Sequence, residues 1–408
     1  METLKYEKRL LSLVYLLCIG LFTNLAILKN PVDKMAFVMA AVLIVVIGFS
    51  HYIIRKFYPE GDKYIFIFAS VLAIIGVAIQ YSLNIETAIK QLVWFCIGIT
   101  AYMLIVIILP DLKSFAKYKN IYMVGTIIFM SMAELFGTNI NGAKNWIRLG
   151  SFTFQPSEIG KIFIIFYLSS ALMNYEAKKS FKEDMKQLLE PAIVVMISLA
   201  FMVLQKDLGS AMIFFLLSVT ILYMATDNKK YVIVCFILAG LGAVASTFLF
   251  AHVKERVVIW LNVWEYAQAQ SYQIVQGFYG ISSGGAFGMG LGQGFPQFIP
   301  FVDTDFVYSI ICEEFGIIFA IGVVFFYFLL FYRGMRAALN ANDRFSKLSA
   351  VGFSTLIAVQ VFVIIGGIFT IIPLTGITLP LISYGGTSML TIFFALGTLQ
   401  KISEEGRK

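Results

Sequence analysis

Apolar runs long enough to cross a bilayer recur along the whole chain and constrain its fold more than any other feature. They lie at about 9–28, 35–53, 64–83, 91–110, 120–137, 157–175, 191–205, 209–226, 231–251, 306–332, 349–372 and 384–401. A span needs ~20 apolar residues. Inside hydrocarbon the backbone must satisfy its own hydrogen bonds, so such runs fold as helices. Only 13% of the 408 residues are charged, against roughly 25% in soluble domains. The expected fold is therefore all-α, a polytopic membrane helix bundle of about twelve transmembrane helices. Lys206 and Asp207 interrupt the seventh and eighth runs; their combined length favours two helices over one broken one. The first run lacks a small-residue cleavage site and reads as an uncleaved anchor.

Charge orients the bundle. With the N-terminus inside, 22 of the 31 Lys and Arg fall in inner segments, 8 in outer ones, and Lys161 lies within a span. This is the positive-inside pattern, with both termini cytoplasmic. The net charge of +7 is scattered through connecting segments, which argues against a nucleic-acid partner. Cys18, Cys96, Cys235 and Cys312 all sit in apolar runs, and the two histidines, His51 and His252, are far apart; neither pattern resembles a metal cluster. The inner loops are short and basic, leaving the outer face for chemistry, in loops 138–156 and 252–305 and the shorter 373–383.

Four outer stretches carry candidates. In NGAKNWIRLGSFTFQPSEIGK, Pro156 suits the first turn of a helix and Ser157 with Glu158 complements its free amides. Glu158 and Lys161 are three apart and can pair on one helix face. Lys144, Arg148, Glu158 and Lys161 lie beside or within an apolar span, where charge is expensive and usually functional; a helix start with Trp146 as an interfacial anchor is the plainer reading. Lys206 and Asp207 precede Gly209 at a tight outer turn, which also suits a simple polar turn. Arg256, Trp260 and Trp264, four apart, make a basic-aromatic stripe at headgroup level, with or without a specific ligand.

The fourth stretch is the most unusual. From Ala267 through Val302 there is no charged residue, and eight glycines fall between Gly277 and Gly294. Glycines this dense prevent a regular helix, at ~1 kcal/mol each, yet the run is too apolar for a solvated linker. It reads as a structured loop against the membrane or a cavity, delivering an acid to a fixed place. Gly288, Gly290, Gly292 and Gly294 have neither a preceding strand nor a following GK[ST], which excludes a nucleotide-binding loop. Asp303 and Asp305 follow. Asp305, Ser309 and Glu313, at i, i+4 and i+8, form a polar stripe if the tenth span begins at Asp305; Thr304 or Asp305 would otherwise cap that helix.

These stretches resemble the SEDS family of polytopic membrane proteins, whose members include RodA, FtsW and SpoVE. The resemblance rests on NGAKNWIRLG…QPSEIGK (141–161), QKDLGSA (205–211), YQIVQ…SSGGAFGMGLGQG (272–294), TDFVYSIICEEFG (304–316) and IPLTGITLPLISYGGTS (372–388). It covers the chain from about residue 64 to the end, with the motifs in the family's order.

The resemblance implies a peptidoglycan glycosyltransferase that polymerises lipid II at the outer face of a bacterial cytoplasmic membrane, partnered by a class B penicillin-binding protein. It makes Asp305 the catalytic acid-base residue and places Lys144, Arg148, Asp207 and Arg256 at the substrate. Glu158, Lys161, Ser309 and Glu313 would shape the cavity. A divalent cation (Mg2+ or Mn2+) is an open expectation. A flippase for lipid II, or a non-catalytic scaffold for the penicillin-binding protein, are the rival roles; elongation, division and sporulation members share these motifs. The family's core has ten spans, so residues 1–60 add two helices to a membrane domain at 61–408. The loop GQGFPQFIPFVDTDF is short and lacks basic residues, as in some Gram-positive members, and Asp303 adds a second acid. Ile364 stands where many members carry Asn.

Overall fold

The structure, a computed structural model, describes residues 2–140, 143–150, 152–178 and 181–407. Asn141 and Gly142, which open the first matched motif, lie outside the described residues. Among those described, the helices are α1 (Glu2–Ile27), α2 (Lys34–Phe57), α3 (Tyr64–Leu83), α4 (Ile85–Ile108), α5 (Lys119–Phe136), α6 (Pro156–Leu172) and α7 (Phe181–Leu204). They continue as α8 (Leu208–Thr226), α9 (Lys229–Leu249), α10 (Ala251–Leu261), α11 (Tyr272–Gly284), α12 (Val307–Asn340), α13 (Arg344–Ile368) and α14 (Gly386–Glu405).

Each expected run is a helix, and the chain is a helical membrane bundle. By length and hydropathy alone, nine helices among the described residues qualify as membrane spans. The others expected as spans, α5, α6 and α14, are shorter or carry more polar side chains. α3 and α13 form the centre and are buried along most of their length, whereas α9 stands at the periphery with Tyr231 its one buried residue. The seventh and eighth runs are two separate helices. Lys206 turns between them in the left-handed region, φ 62°, and Asp207 caps α8 by accepting from the Ser210 amide at 3.0 Å.

Three features depart from expectation. The first outer loop is a small antiparallel sheet of β1 (Thr138–Ile140), β2 (Ala143–Leu149) and β3 (Phe152–Phe154), in the order β1-β2-β3. The second contains α10 and α11 rather than loop alone. Finally, α12 begins at Val307, after Phe306, with no side-chain cap. Asp305 therefore precedes the helix, neither it nor Thr304 caps it, and the three-residue stripe does not exist as one helix face.

The glycine-rich run earns its composition at α12. Gly316 (φ 82°) breaks that helix, and segment 285–290 lies in the break. There the Met289 and Gly290 amides donate to the Glu313 and Glu314 carbonyls, each at 2.9 Å, while the Ile317 amide donates to the Gly285 carbonyl at 3.0 Å. A Cβ at Gly288 or Gly316 would meet backbone at 2.3 and 2.4 Å. Only glycine permits both the positive φ and this approach.

Candidate functional site

At the end of the bundle predicted to face outward, β2, α10, the 301–306 turn and the 369–385 segment enclose a cavity of 1270 Å³. Asp305 lines it. The turn that carries Asp305 is held from below through its carbonyls. Gln80 of α3 and the Tyr384 amide both donate to the Asp303 carbonyl at 2.8 Å, and the Ser383 hydroxyl donates to the Thr304 carbonyl at 2.5 Å. The 369–385 segment is pinned in turn by Gln91, which donates to the Ser383 carbonyl at 3.0 Å, and by Gln360, which donates to the Thr378 carbonyl at 2.9 Å. All three glutamines are fully buried. Each such bond is worth ~1 kcal/mol net and costs more if its partner is left unmade. Together they fix irregular backbone at membrane depth, where it needs such support.

The Asp305 side chain lies at the cavity wall beside Gly376. A Cβ at Gly376 (φ 70°) would stand 3.4 Å from Oδ2, so the missing side chain there keeps the carboxylate approachable. Burial pushes its pKa up from the usual carboxylate value to about 6. The Thr304 hydroxyl opposes that rise, the Asp303 charge adds to it, and the Arg256 charge opposes it. The group is thus ionised at neutral pH yet basic enough to take a proton.

Asp207 lines the same cavity but is saturated. Besides capping α8 it accepts from Asn145 Nδ2 at 3.0 Å and Gln155 Nε2 at 3.1 Å, tying the sheet to α8. Arg256, also in the cavity, donates through Nη1 to the Leu374 carbonyl at 2.9 Å and the Thr375 carbonyl at 3.4 Å. Burial lowers its pKa, and Asp207, Asp305 and Glu255 counteract this. Trp260 donates to the Thr370 carbonyl at 2.7 Å. The expected basic-aromatic stripe is thus split. Arg256 and Trp260 fasten α10 to the 369–385 segment, whereas Trp264 lies beyond the end of α10, exposed and stacked obliquely near Phe278.

Glu158 lines the cavity floor and pairs with Lys161 at 2.7 Å, both buried. Ser309 and Glu313 are buried outside the cavity lining, beneath α11 and the glycine loop, where Glu313 accepts from the Phe295 amide at 3.2 Å. Lys144 and Arg148 do not join the cavity. Lys144 lies 3.8 Å from Glu134 at the end of α5, and Arg148 is exposed, whereas Asn145 turns to Asp207 and Trp146 lines the cavity. Ile364 is buried and is not a lining residue, so its position bears on packing.

Several lining residues escaped sequence reasoning: Lys90 and Trp94 of α4, His252 and Tyr384. Burial, with the nearby Lys206 and Arg256 charges, holds His252 below its usual pKa, hence neutral. A usable signal did exist for the supports. Gln80, Gln91 and Gln360 are polar amides inside apolar runs, which demand a partner. Among the described residues, no three His, Cys, Asp or Glu side chains gather as a cation site.

Residues 63–408 match the family model described as cell cycle protein, the FtsW/RodA/SpoVE family. The chain belongs to that family. Peptidoglycan glycosyltransferase RodA of Mycobacterium bovis is 32% identical over 386 residues, covering 88% of this chain and 82% of that protein. Stage V sporulation protein E of Bacillus subtilis is 31% identical over 324 residues, covering 78% and 87%. A chain from a peptidoglycan synthase complex described as coordinating polymerization and crosslinking superposes with a TM-score of 0.73 at 23% identity, covering 85% of this chain and 99% of that one. Thermus thermophilus rod shape determining protein RodA gives 0.64 at 22% identity, covering 85% and 98%. Both likenesses establish the FtsW/RodA/SpoVE fold. The family match begins after α1 and α2.

Proposed function

We propose that this protein is a peptidoglycan glycosyltransferase that polymerises lipid II at the outer face of a bacterial cytoplasmic membrane. The observation that carries the reading is Asp305, a carboxylate raised to about 6 that lines the cavity beside Gly376. Asp305 takes the proton of the acceptor's 4-hydroxyl as that oxygen attacks C1 of the growing glycan. The new C1–O bond forms as the bond from C1 to the diphosphate breaks, and polyprenyl diphosphate departs with the electron pair. Arg256 keeps guanidinium N–H groups beyond those spent on the 374–375 carbonyls. With Lys206 and Lys90 at the cavity wall, it meets the charge that develops on the leaving diphosphate. Glu158 and Lys161 hold the floor, and Asp207 holds the sheet against α8.

The accompanying topology is twelve spans with both termini cytoplasmic, with a class B penicillin-binding protein cross-linking the product. The short uncharged loop before Asp303 favours a Gram-positive source. The test is polymer formation from labelled lipid II by the purified chain with its class B partner. Wild-type polymer and none from folded Asp305→Asn supports the reading; equal polymer from both sinks it.

A further inference from the structure

We propose that the α1–α2 hairpin, which lies outside the family's matched region, is a positioning element that braces the loop and turn carrying Asp305. The observations meet at the outer end of α3, where three consecutive residues each take a different task. Gln80 donates to the Asp303 carbonyl, two residues before Asp305, at 2.8 Å. Tyr81 donates its hydroxyl to Asp33 Oδ2 in the α1–α2 turn, also at 2.8 Å. Ser82 reaches the glycine loop, its Cβ 4.0 Å from where a Cβ at Gly292 would stand.

The hairpin touches the same loop directly. Leu28 Cδ1 and Leu25 Cδ2 lie 3.2 and 3.8 Å from that same position on Gly292. Leu25 is buried, and Phe22 of α1 packs edge-on against the Tyr81 ring at 6.0 Å. Tyr81 is therefore gripped by α1 through its ring and by the turn through its hydroxyl. The turn is itself constrained. Lys29 pairs with Asp33 at 2.9 Å, the Met35 amide donates to Asp33 Oδ1 at 3.0 Å, and the Asp33 amide closes back on the Ala26 carbonyl at 3.0 Å. At the opposite end, Glu7 Oε1 lies 2.8 Å from His51 Nε2 in a buried contact between the two helices. A hairpin fastened at both ends can transmit restraint.

The physical need lies in the loop. Gly285, Gly288, Gly290 and Gly292 all adopt positive φ, and glycine loses more conformational freedom on ordering than any other residue. The break in α12 anchors the first half of this loop through backbone bonds. The second half meets the ends of α1 and α3 at Gly292, and beyond it Gly294 and Phe295 lie against Glu313 of α12. Packing there restricts the segment that sets where Asp305 stands, and small misplacement of a catalytic group is costly.

The test uses the full chain in lipid, with Tyr81→Phe, the pair Leu25→Ala/Leu28→Ala, and the conservative pair Leu25→Met/Leu28→Met. Hydrogen exchange is read first, because its outcome does not depend on activity. Amide exchange across 291–306 should rise about tenfold in the Phe and Ala variants, a local opening with the rest unchanged, while the Met pair holds wild-type protection. The kinetic arm rests on the glycosyltransferase reading: kcat should fall several-fold with KM for lipid II retained. Unchanged exchange in both the Phe and Ala variants overturns the proposal. So does wild-type kcat per folded molecule alongside lower expression, which makes the hairpin a passive anchor. A wild-type chain that makes no polymer would count against the glycosyltransferase, leaving the exchange result to decide the brace.

Discussion

Asp305 and Asp207 line one cavity, yet their surroundings assign them opposite tasks. Asp207 accepts from the Ser210 amide, Asn145 and Gln155, which spends both of its oxygens on N–H donors at 3.0–3.1 Å. Asp305 has its flanking carbonyls held by Gln80 and Ser383 while its carboxylate lies beside Gly376. In the first, three N–H donors hold the side chain; in the second the backbone is held, and the side chain, bonded by the Thr304 hydroxyl, lines the cavity. Membership of a cavity does not by itself assign chemistry. What decides is whether the lone pairs are already spent.

The largest effect that would break this contrast is at Asp305. Asp305→Asn preserves shape and removes the base, so polymerisation should fall by roughly 10²–10⁴, the worth of a positioned general base. The variant's thermal midpoint should match wild type. Substantial polymer from it would remove Asp305 from the proton transfer and dissolve the contrast.

Next in size is the buried floor. Lys161→Met leaves Glu158 buried without its partner at 2.7 Å, a loss of about 3–5 kcal/mol. Replacing both, as Glu158→Leu/Lys161→Met, should recover most of the thermal stability. If the single variant melts like wild type, the pair is not a structural fastening. Asp207→Asn comes below it. The new amide N–H faces donors it cannot accept from, costing about 1–3 kcal/mol. Its loss should appear as lower stability and looser sheet 143–154 before it appears in kcat.

Acidity sharpens the comparison without breaking it. A base with pKa about 6 is lost as it protonates, so kcat/KM should fall as pH drops through about 6 and level off above it. Arg256 lowers that pKa and Asp303 raises it. Asp303→Asn should therefore move the acid limb to lower pH, and Arg256→Met should move it higher. A limb that ignores both substitutions belongs to another group.

Much of this was legible in the sequence. Hydropathy marked twelve of the helices, though not α10 and α11, and an acid placed between a neutral glycine run and an apolar helix pointed to Asp305. The sheet was not legible: β1 and β3 have three residues each, and strand pairing is a non-local property that Trp146 and Arg148 do not announce. Nor was the break in α12. Gly316 sits in an apolar run that suits a straight helix, and its φ of 82° follows from the loop packed against it. The partners of Arg256 and Trp260 are backbone carbonyls at 370–375, and carbonyls carry no sequence signature. Helix spacing thus placed Arg256 and Trp260 correctly on one face while leaving what they hold unread.

The smallest effects separate two cations that spacing treats alike. Lys144 is drawn back to Glu134, 3.8 Å away, at the end of α5. A partly exposed pair of this kind is worth about 0–1 kcal/mol, so Lys144→Ala should change polymerisation by less than about twofold. Arg148 is exposed on β2, outside the cavity lining, and can meet substrate only at the outer surface. Its loss should weaken ground-state binding alone, raising KM by up to about tenfold with kcat retained. A fall in kcat for Arg148→Ala would place the guanidinium at the transition state. That result would require the sheet to turn inward when substrate binds, making β2 a moving wall of the cavity.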